Sequence, residues 1–337
     1  MTLSQRPSSH HHKPTGPASN GSISPGRRKK QQGVAIITAL LIVTIAATIS
    51  ITISTRLQLD VRRTGNLIAQ DNAYFYLLAA EEWSRRILRQ DKKDSTSDNL
   101  NEDWAIELPP LPVEGGSIQG RITDLHACLN VNSLVVAGAV DVTAKTRFSQ
   151  LFTNLGINPD LIQSITDWID IDLATTNPNG AEDGYYLNLE KPYYTANTAI
   201  QSPSELRLVK GFEDPEIYQQ LEQYICAFDL EGGTGTININ TASIEVLKSL
   251  SSTMTDAIAK DIIEQREENP FNDLKDFTSF STLKTIITDT TNLTTSSNFF
   301  LLRTQARIGY ANIVMYSIIF REDSGETDVI YRSQRTL

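Results

Sequence analysis

A basic cluster and a glycine lead into a charge-free apolar run, and no other feature restricts this chain as much. Arg27, Arg28, Lys29, Lys30, Gln31, Gln32 and Gly33 are followed by VAIITALLIVTIAATISITIST from Val34, with no ionisable side chain before Arg56. At about 1.5 Å of rise per residue, residues 34–55 make a helix of about 33 Å, enough to cross the ~30 Å core of a bilayer. A segment greasy on all sides is expected to be a transmembrane helix. The basic residues before it stay cytoplasmic, which sends everything after Arg56 to the far side of the inner membrane. A secretory signal would have a shorter apolar region and a small-x-small cleavage site, whereas Arg56, Leu57 and Gln58 follow here. On hydropathy alone the segment reads as a signal anchor.

Beyond it, Leu57, Val61, Leu67, Ile68, Phe75, Leu78 and Ile87 recur largely at threes, fours and sevens, and no proline occurs between Val34 and Leu108. One continuous helix of about 55 residues is expected, its second half laying an apolar face on a sheet. The carboxylates Glu81 and Glu82 on it read as a solvated face, and DKKDSTSDNLNED at 91–103 ends it. Strand signals occupy residues 116–125 and a meander from residue 298, with turns at 309–312 and 322–326. A small antiparallel sheet built from segments flanking a long insert, with the helix lying on it, gives an α+β core. Residues 126–296 read as a mostly helical insert.

The chain is long enough for two domains, and its 30 basic and 40 acidic residues give a net charge of −10. Residues 1–33 hold six of the bases (Arg6, Lys13, Arg27, Arg28, Lys29, Lys30) and no acid, so without them the net charge is −16. Such a body suits divalent cations and is a poor match for a phosphate backbone; no nucleic-acid partner is expected. His10, His11 and His12 fall in a Ser- and Pro-rich stretch and read as chance or a tag. Cys128 and Cys226 lack CxxC spacing. In an oxidising compartment an even pair most simply forms a disulfide, the alternative being two buried free thiols.

Within the insert Leu129, Asn130, Val131, Asn132, Ser133 is echoed by Ile237, Asn238, Ile239, Asn240, Thr241. The aliphatic residues are expected to point inward while the amides cap the next helix. The second copy is similar to the helix-hairpin-helix modules of DNA-uptake proteins, yet its turn, residues 250–255, has no glycine through which a phosphate could approach backbone amides. In TDWIDIDLATTNPNGAEDGYY at 166–186, Asp167, Asp170 and Asp172 precede a turn-rich segment and Glu182 and Asp183 follow it. The acid order is not that of an EF-hand, and spacing alone fits either a hard cation or a solvated loop. Catalysis finds no support: GxSxG, P-loop and HExxH are missing, and His126, two residues from Cys128 on a strand, is expected to be buried.

The order basic cluster, Gly33, apolar helix resembles a type IV prepilin or type II secretion pseudopilin. That resemblance implies a prepilin peptidase that cuts between Gly33 and Val34 and methylates Val34, the mature first residue. Most members carry glutamate at the fifth mature position to neutralise a neighbour's terminal ammonium; this chain has Thr38. A subunit without that acid suits a filament tip, since a buried ammonium needs a counter-charge. The missing acid, ANTAIQSPSELRLVKGF at 196–212 and GAEDGYY at 180–186 together resemble the K minor pseudopilin of the type II secretion system. The resemblance implies a leader at 1–33, a transmembrane helix at 34–55, a pilin-like core at 56–125 plus 297–337, and an insert at 126–296 built of two helix-hairpin-helix or SAM-like modules. It further implies I and J minor pseudopilins as partners, a periplasmic body, and structural Ca²⁺ with Asp170, Asp172, Glu182 and Asp183 as ligands. A membrane-anchored DNA-binding competence protein and a minor type IV pilin are the alternative readings.

Overall fold

The computed structural model describes residues 32–107, 109–229, 235–280, 283–287 and 289–334. The expected leader, with its histidines and arginines, lies outside the described residues up to position 31. Helix α1 (Gln32–Asp94) is continuous over 63 residues. Its residues up to Arg62 belong to one compact unit, and those from Arg63 belong to a second that ends at Leu337.

In the first unit the helix is long and apolar enough to cross a membrane, with mean hydropathy 2.6 over its most apolar window. Its hydroxyls are satisfied within the helix. Thr44, Ser50 and Thr52 each donate to the carbonyl four residues back, and Thr48 to that three back. No hydroxyl hydrogen among these is left for a lipid environment that could not accept it.

In the second unit a five-stranded sheet has the order β1-β2-β9-β10-β11. These are β1 (Leu111–Val113), β2 (Gly116–Asp124), β9 (Phe299–Ile308), β10 (Ala311–Arg321) and β11 (Thr327–Gln334), all pairings antiparallel. The meander and the strand at 116–124 match the sequence signals. Strand β1 carries Pro112 and gave no signal; an edge position tolerates a proline. It turns into β2 through Gly115 at φ +82°, and a Cβ on Gly116 would sit 1.7 Å from the Arg307 carbonyl.

The part of α1 from Arg63 packs on this sheet, but of the stripe the spacing picked out only Leu78 and Ile87 take part, both half-buried. Ala73 and Leu77 meet Ala306, Ile308 and Met315, and Leu88 meets Trp104, Leu302 and Ile319. Phe75 is 66% exposed, and Leu67 and Ile68 are exposed too. The buried row reads Ala73, Leu77, Glu81, Ser84, Leu88 because small and hydrogen-bonding side chains let the helix approach closely. Glu81, expected in solvent, is only 5% exposed. It accepts from Ser317 Oγ at 2.6 Å and from Arg332 Nη2 at 2.7 Å, which satisfies the buried charge. Glu82 does face solvent, paired with Arg85 and Arg89 at 2.9 Å.

Between β2 and β9 the chain builds two helical modules. The first starts at β3 (Leu129–Asn130) and returns to it in parallel at β6 (Ile225–Cys226), enclosing the small hairpin β4 (Val135–Val136) and β5 (Ala139–Val140) and helices α2 (Val142–Leu155), α3 (Ile162–Ile169), α4 (Asp183–Tyr186) and α5 (Pro215–Leu221). The second starts at β7 (Ile237–Asn238) and closes in parallel on β8 (Leu293–Thr294), enclosing α6 (Ile244–Lys248), α7 (Asp256–Glu268) and α8 (Leu274–Ser279). The weak sequence repeat is thus the opening strand of each module. Its aliphatic residues do point inward, Val131 and Ile239 being fully buried. Its amides differ from expectation. Asn130 caps only a 3₁₀ turn, and Asn132 and Asn240 reach across to the backbone of Ile200 and Phe271. Helices α2 and α6 are capped instead by Asp141 and Ser243.

The junction of sheet and modules is a buried polar knot. Asp124 at the end of β2 accepts from His126 N–H at 2.7 Å, Thr241 Oγ1 at 2.5 Å, Ser297 Oγ at 2.7 Å and Asn238 Nδ2 at 3.1 Å. The first of these bonds ends the strand. His126 therefore lies on a 3₁₀ turn rather than a strand, buried, its ring 3.0 Å from Thr236 Oγ1.

Candidate functional site

Helix α3 buries Ile162, Ile165, Trp168 and Ile169 in the insert core, and this amphipathic packing fixes where its last turn points. Asp167 is inside, both oxygens accepting from the Thr176 N–H at 3.3 and 3.0 Å. Asp170 caps the C-terminus and Asp172 closes a turn by accepting from Ala174 N–H at 2.7 Å. The chain then comes back against α3 at Gly180, where a Cβ would sit 2.2 Å from Asp167 Oδ2 and 2.3 Å from the Thr176 carbonyl. This return places Glu182, 4% exposed, beside the end of α3.

One oxygen each of Asp170, Asp172 and Glu182 lies within 4.8 Å of the others. Asp183, the fourth expected ligand, is not in this group; its Oδ1 accepts from Thr195 N–H at 3.0 Å. Asp170 Oδ1 and both Glu182 oxygens are buried with no hydrogen-bond partner, as are Thr195 Oγ1 and Asn197 Oδ1. Burial, with Asp167 and Asp170 nearby, pushes Glu182 up to about 7. Burial, with Asp172 and Asp167, raises Asp170 to about 6. Buried oxygens without a hydrogen to accept are costly. Carboxylate and hydroxyl oxygens with no nitrogen or sulfur are a donor set for a hard cation, so the residues present fit one. Thr195, beside Glu182, was not singled out from the sequence.

A second acidic group, Asp91, Asp98 and Glu102, also holds its oxygens within 4.8 Å. Arg321 enters it, Nη1 2.8 Å from Asp91 Oδ2 and Nη2 2.5 Å from Asp98 Oδ1. Glu102 accepts from Trp104 Nε1 at 2.7 Å and from both nitrogens of Asn99. The sequence showed these acids only as the end of α1.

Cys128 and Cys226 form a disulfide beside the β3–β6 bridge, Cα atoms 5.9 Å apart. This ties the two ends of the first module together. Gly33 and Val34 lie in the first turn of α1 as described, and the Thr38 hydroxyl donates to the carbonyls of Val34 at 3.1 Å and Ala35 at 3.0 Å.

Two family models, both described as Type II secretion system (T2SS), protein K, match residues 127–229 and 237–296. Those spans are the two modules. The chain is 34% identical over 268 residues to Type II secretion system protein K of Aeromonas hydrophila, covering 74% of this chain and 80% of that protein. The protein of the same name from Pectobacterium carotovorum subsp. carotovorum is 32% identical over 309 residues, covering 87% and 93%. A chain in the crystal structure of the GspK-GspI-GspJ complex from the enterotoxigenic Escherichia coli Type 2 Secretion System superposes with a TM-score of 0.73 at 25% identity, covering 82% of this chain and all of that one. With matches over most of both chains and over both modules, this chain belongs to the type II secretion system protein K family: it is a minor pseudopilin, a structural and non-catalytic subunit held in the inner membrane by its apolar N-terminal helix with its body in the periplasm.

Proposed function

We propose that a prepilin peptidase cuts this subunit between Gly33 and Val34 and methylates Val34, and that the mature protein sits at the tip of the pseudopilus with I- and J-type minor pseudopilins. Its likeness to a chain of the GspK-GspI-GspJ complex supports those partners. The observation that carries the tip placement is Thr38. Its hydroxyl is turned back onto Val34 and Ala35, so the fifth mature position offers no charge to an ammonium packed above it. The modules at 126–296 act as bulk and rigidity rather than as DNA grips, in line with the acid surplus and the glycine-free turn; we read them as helix-hairpin-helix units used for packing. In the first module Ca²⁺ is held by Asp170, Asp172 and Glu182, helped by Thr195. When bound, it supplies the positive charge that three clustered carboxylates need; Asp183 orients the Thr195 backbone beside them.

Mass determination of the mature amino terminus, together with gold-labelled antibody against the insert on assembled pseudopili, tests this reading. A methylated Val34 and label confined to one end are expected. Retention of the Arg27–Lys30 cluster, or label along the shaft, would overturn it.

A further inference from the structure

We infer that the sheet face turned away from α1 is a docking surface for an acidic segment of another protein. One end of that face is covered by the insert, where Phe299, Leu301 and Ile318 pack with Leu125 and Phe228. Past that contact, Arg121 on β2 stands directly opposite Arg303 on β9, and both are exposed. Arg307, also exposed, follows two outward positions further along β9. Among the described residues, none of these three guanidinium groups makes an ion pair or a hydrogen bond.

This arrangement is not what folding alone selects. Like charges directly opposite on neighbouring strands oppose pairing. With 40 acidic residues in the chain, a carboxylate beside them would relieve the repulsion, yet Arg303 faces Tyr316 on its other side and Arg307 lies between Ser117 and Asn312. The floor between the charges is tied across three strands by an amide ladder: Gln119 Nε2 donates to Gln305 Oε1 at 2.9 Å, and Gln305 Nε2 to Asn312 Oδ1 at 2.7 Å. At the end of the same hairpin, Tyr310 is 96% exposed. Arginine and tyrosine are side chains that protein interfaces favour. Each guanidinium is a fork that takes a carboxylate by two parallel hydrogen bonds.

The body's net charge selects among anions. A long polyphosphate or a lipid surface would meet the repulsion of the whole acidic body, whereas a short acidic peptide segment engages the arginines within a Debye length of about 8 Å. The occupant is therefore a protein segment with closely spaced carboxylates.

Fluorescence anisotropy of a labelled hexaglutamate peptide, titrated with the full processed protein in neutral detergent, tests this. Saturable binding that weakens with added salt is expected, reduced at least tenfold in the Arg121→Gln/Arg303→Gln/Arg307→Gln protein, whose melting temperature stays at or above that of the parent. Arg307→Gln alone, remote from the opposed pair, should weaken binding with no change in melting. Absent or equal binding by parent and triple variant would overturn the proposal. So would tighter binding of single-stranded dT20 than of the peptide, or a lowered melting temperature in the triple variant, which would make the arginines structural.

Discussion

The acidic groups at Asp91, Asp98, Glu102 and at Asp170, Asp172, Glu182 are alike in composition and spacing and opposite in how their charge is met. In the first, Arg321 arrives from the end of β10 to pair with Asp91 and Asp98, Ser297 N–H meets the other Asp98 oxygen, and Trp104 and Asn99 meet Glu102, although burial and Glu102 still raise Asp91 to about 7. In the second, three carboxylate oxygens stay buried and unpartnered, with the Thr195 side chain beside Glu182. A cluster of acids therefore says little by itself. What separates a structural knot from a cation site is whether the fold brings its own counter-charge, because several unpaired negative charges in a poorly solvated corner raise one another's pKa or recruit a cation.

Removing the built-in counter-charge should give the largest effect. Arg321→Met leaves Asp91 and Asp98 without their counter-charge and is expected to lose about 3–5 kcal/mol in urea unfolding. Added Ca²⁺ should not restore it; restoration would erase the distinction between the two groups. Next, chelating Ca²⁺ from the parent protein, starting at one hundred times the dissociation constant, should lower stability by about 2.7 kcal/mol. No change in melting temperature would remove the cation from the second group.

Glu182→Gln should abolish that calcium-dependent shift while leaving the chelated protein at least as stable as the parent, since one repelling charge has gone. Asp183→Ala should keep the calcium shift and lose only about 1 kcal/mol, the worth of its bond to the Thr195 N–H. Loss of the calcium shift in that variant would instead make Asp183 a ligand.

The smallest effect is a slope. Asp170 and Glu182 have folded-state values raised to about 6 and about 7, so between the usual carboxylate range and pH 7 the folded state holds more protons than the unfolded. With chelator, stability contributed by these groups is therefore present at about pH 4 and is lost as pH rises toward about 7. Calcium affinity should rise over the same window, because the ion takes the deprotonated oxygens. Differential scanning fluorimetry at a series of pH values, with and without Ca²⁺, reads both.

Much of the architecture was legible because it follows local periodicity. The unbroken run without proline gives α1, and the alternation from residue 298 gives the meander, each set by neighbours within a few residues. The face of α1 that is buried was not legible. Phe75 and Ile68 look like core residues, while Glu81 looks like surface; only the partners Ser317 and Arg332, more than two hundred residues away, make Glu81 an interior residue. The acidic corner divides the same way. Asp170, Asp172 and Glu182 were visible as a local cluster, but the close return of the chain at Gly180 and the approach of Thr195 to Glu182 were not.

By itself, then, the sequence determined what local chemistry dictates: a membrane-length apolar helix behind a basic cluster, a threonine where a carboxylate would stand, two Asn-rich strand starts and one acidic loop. Tertiary structure decided what depends on distant residues meeting. Arg321 pairs with one set of acids while among the described residues no basic side chain pairs with the other, and Arg121 stands opposite Arg303, because long-range pairing brings those groups together and no periodicity in the chain encodes their separation.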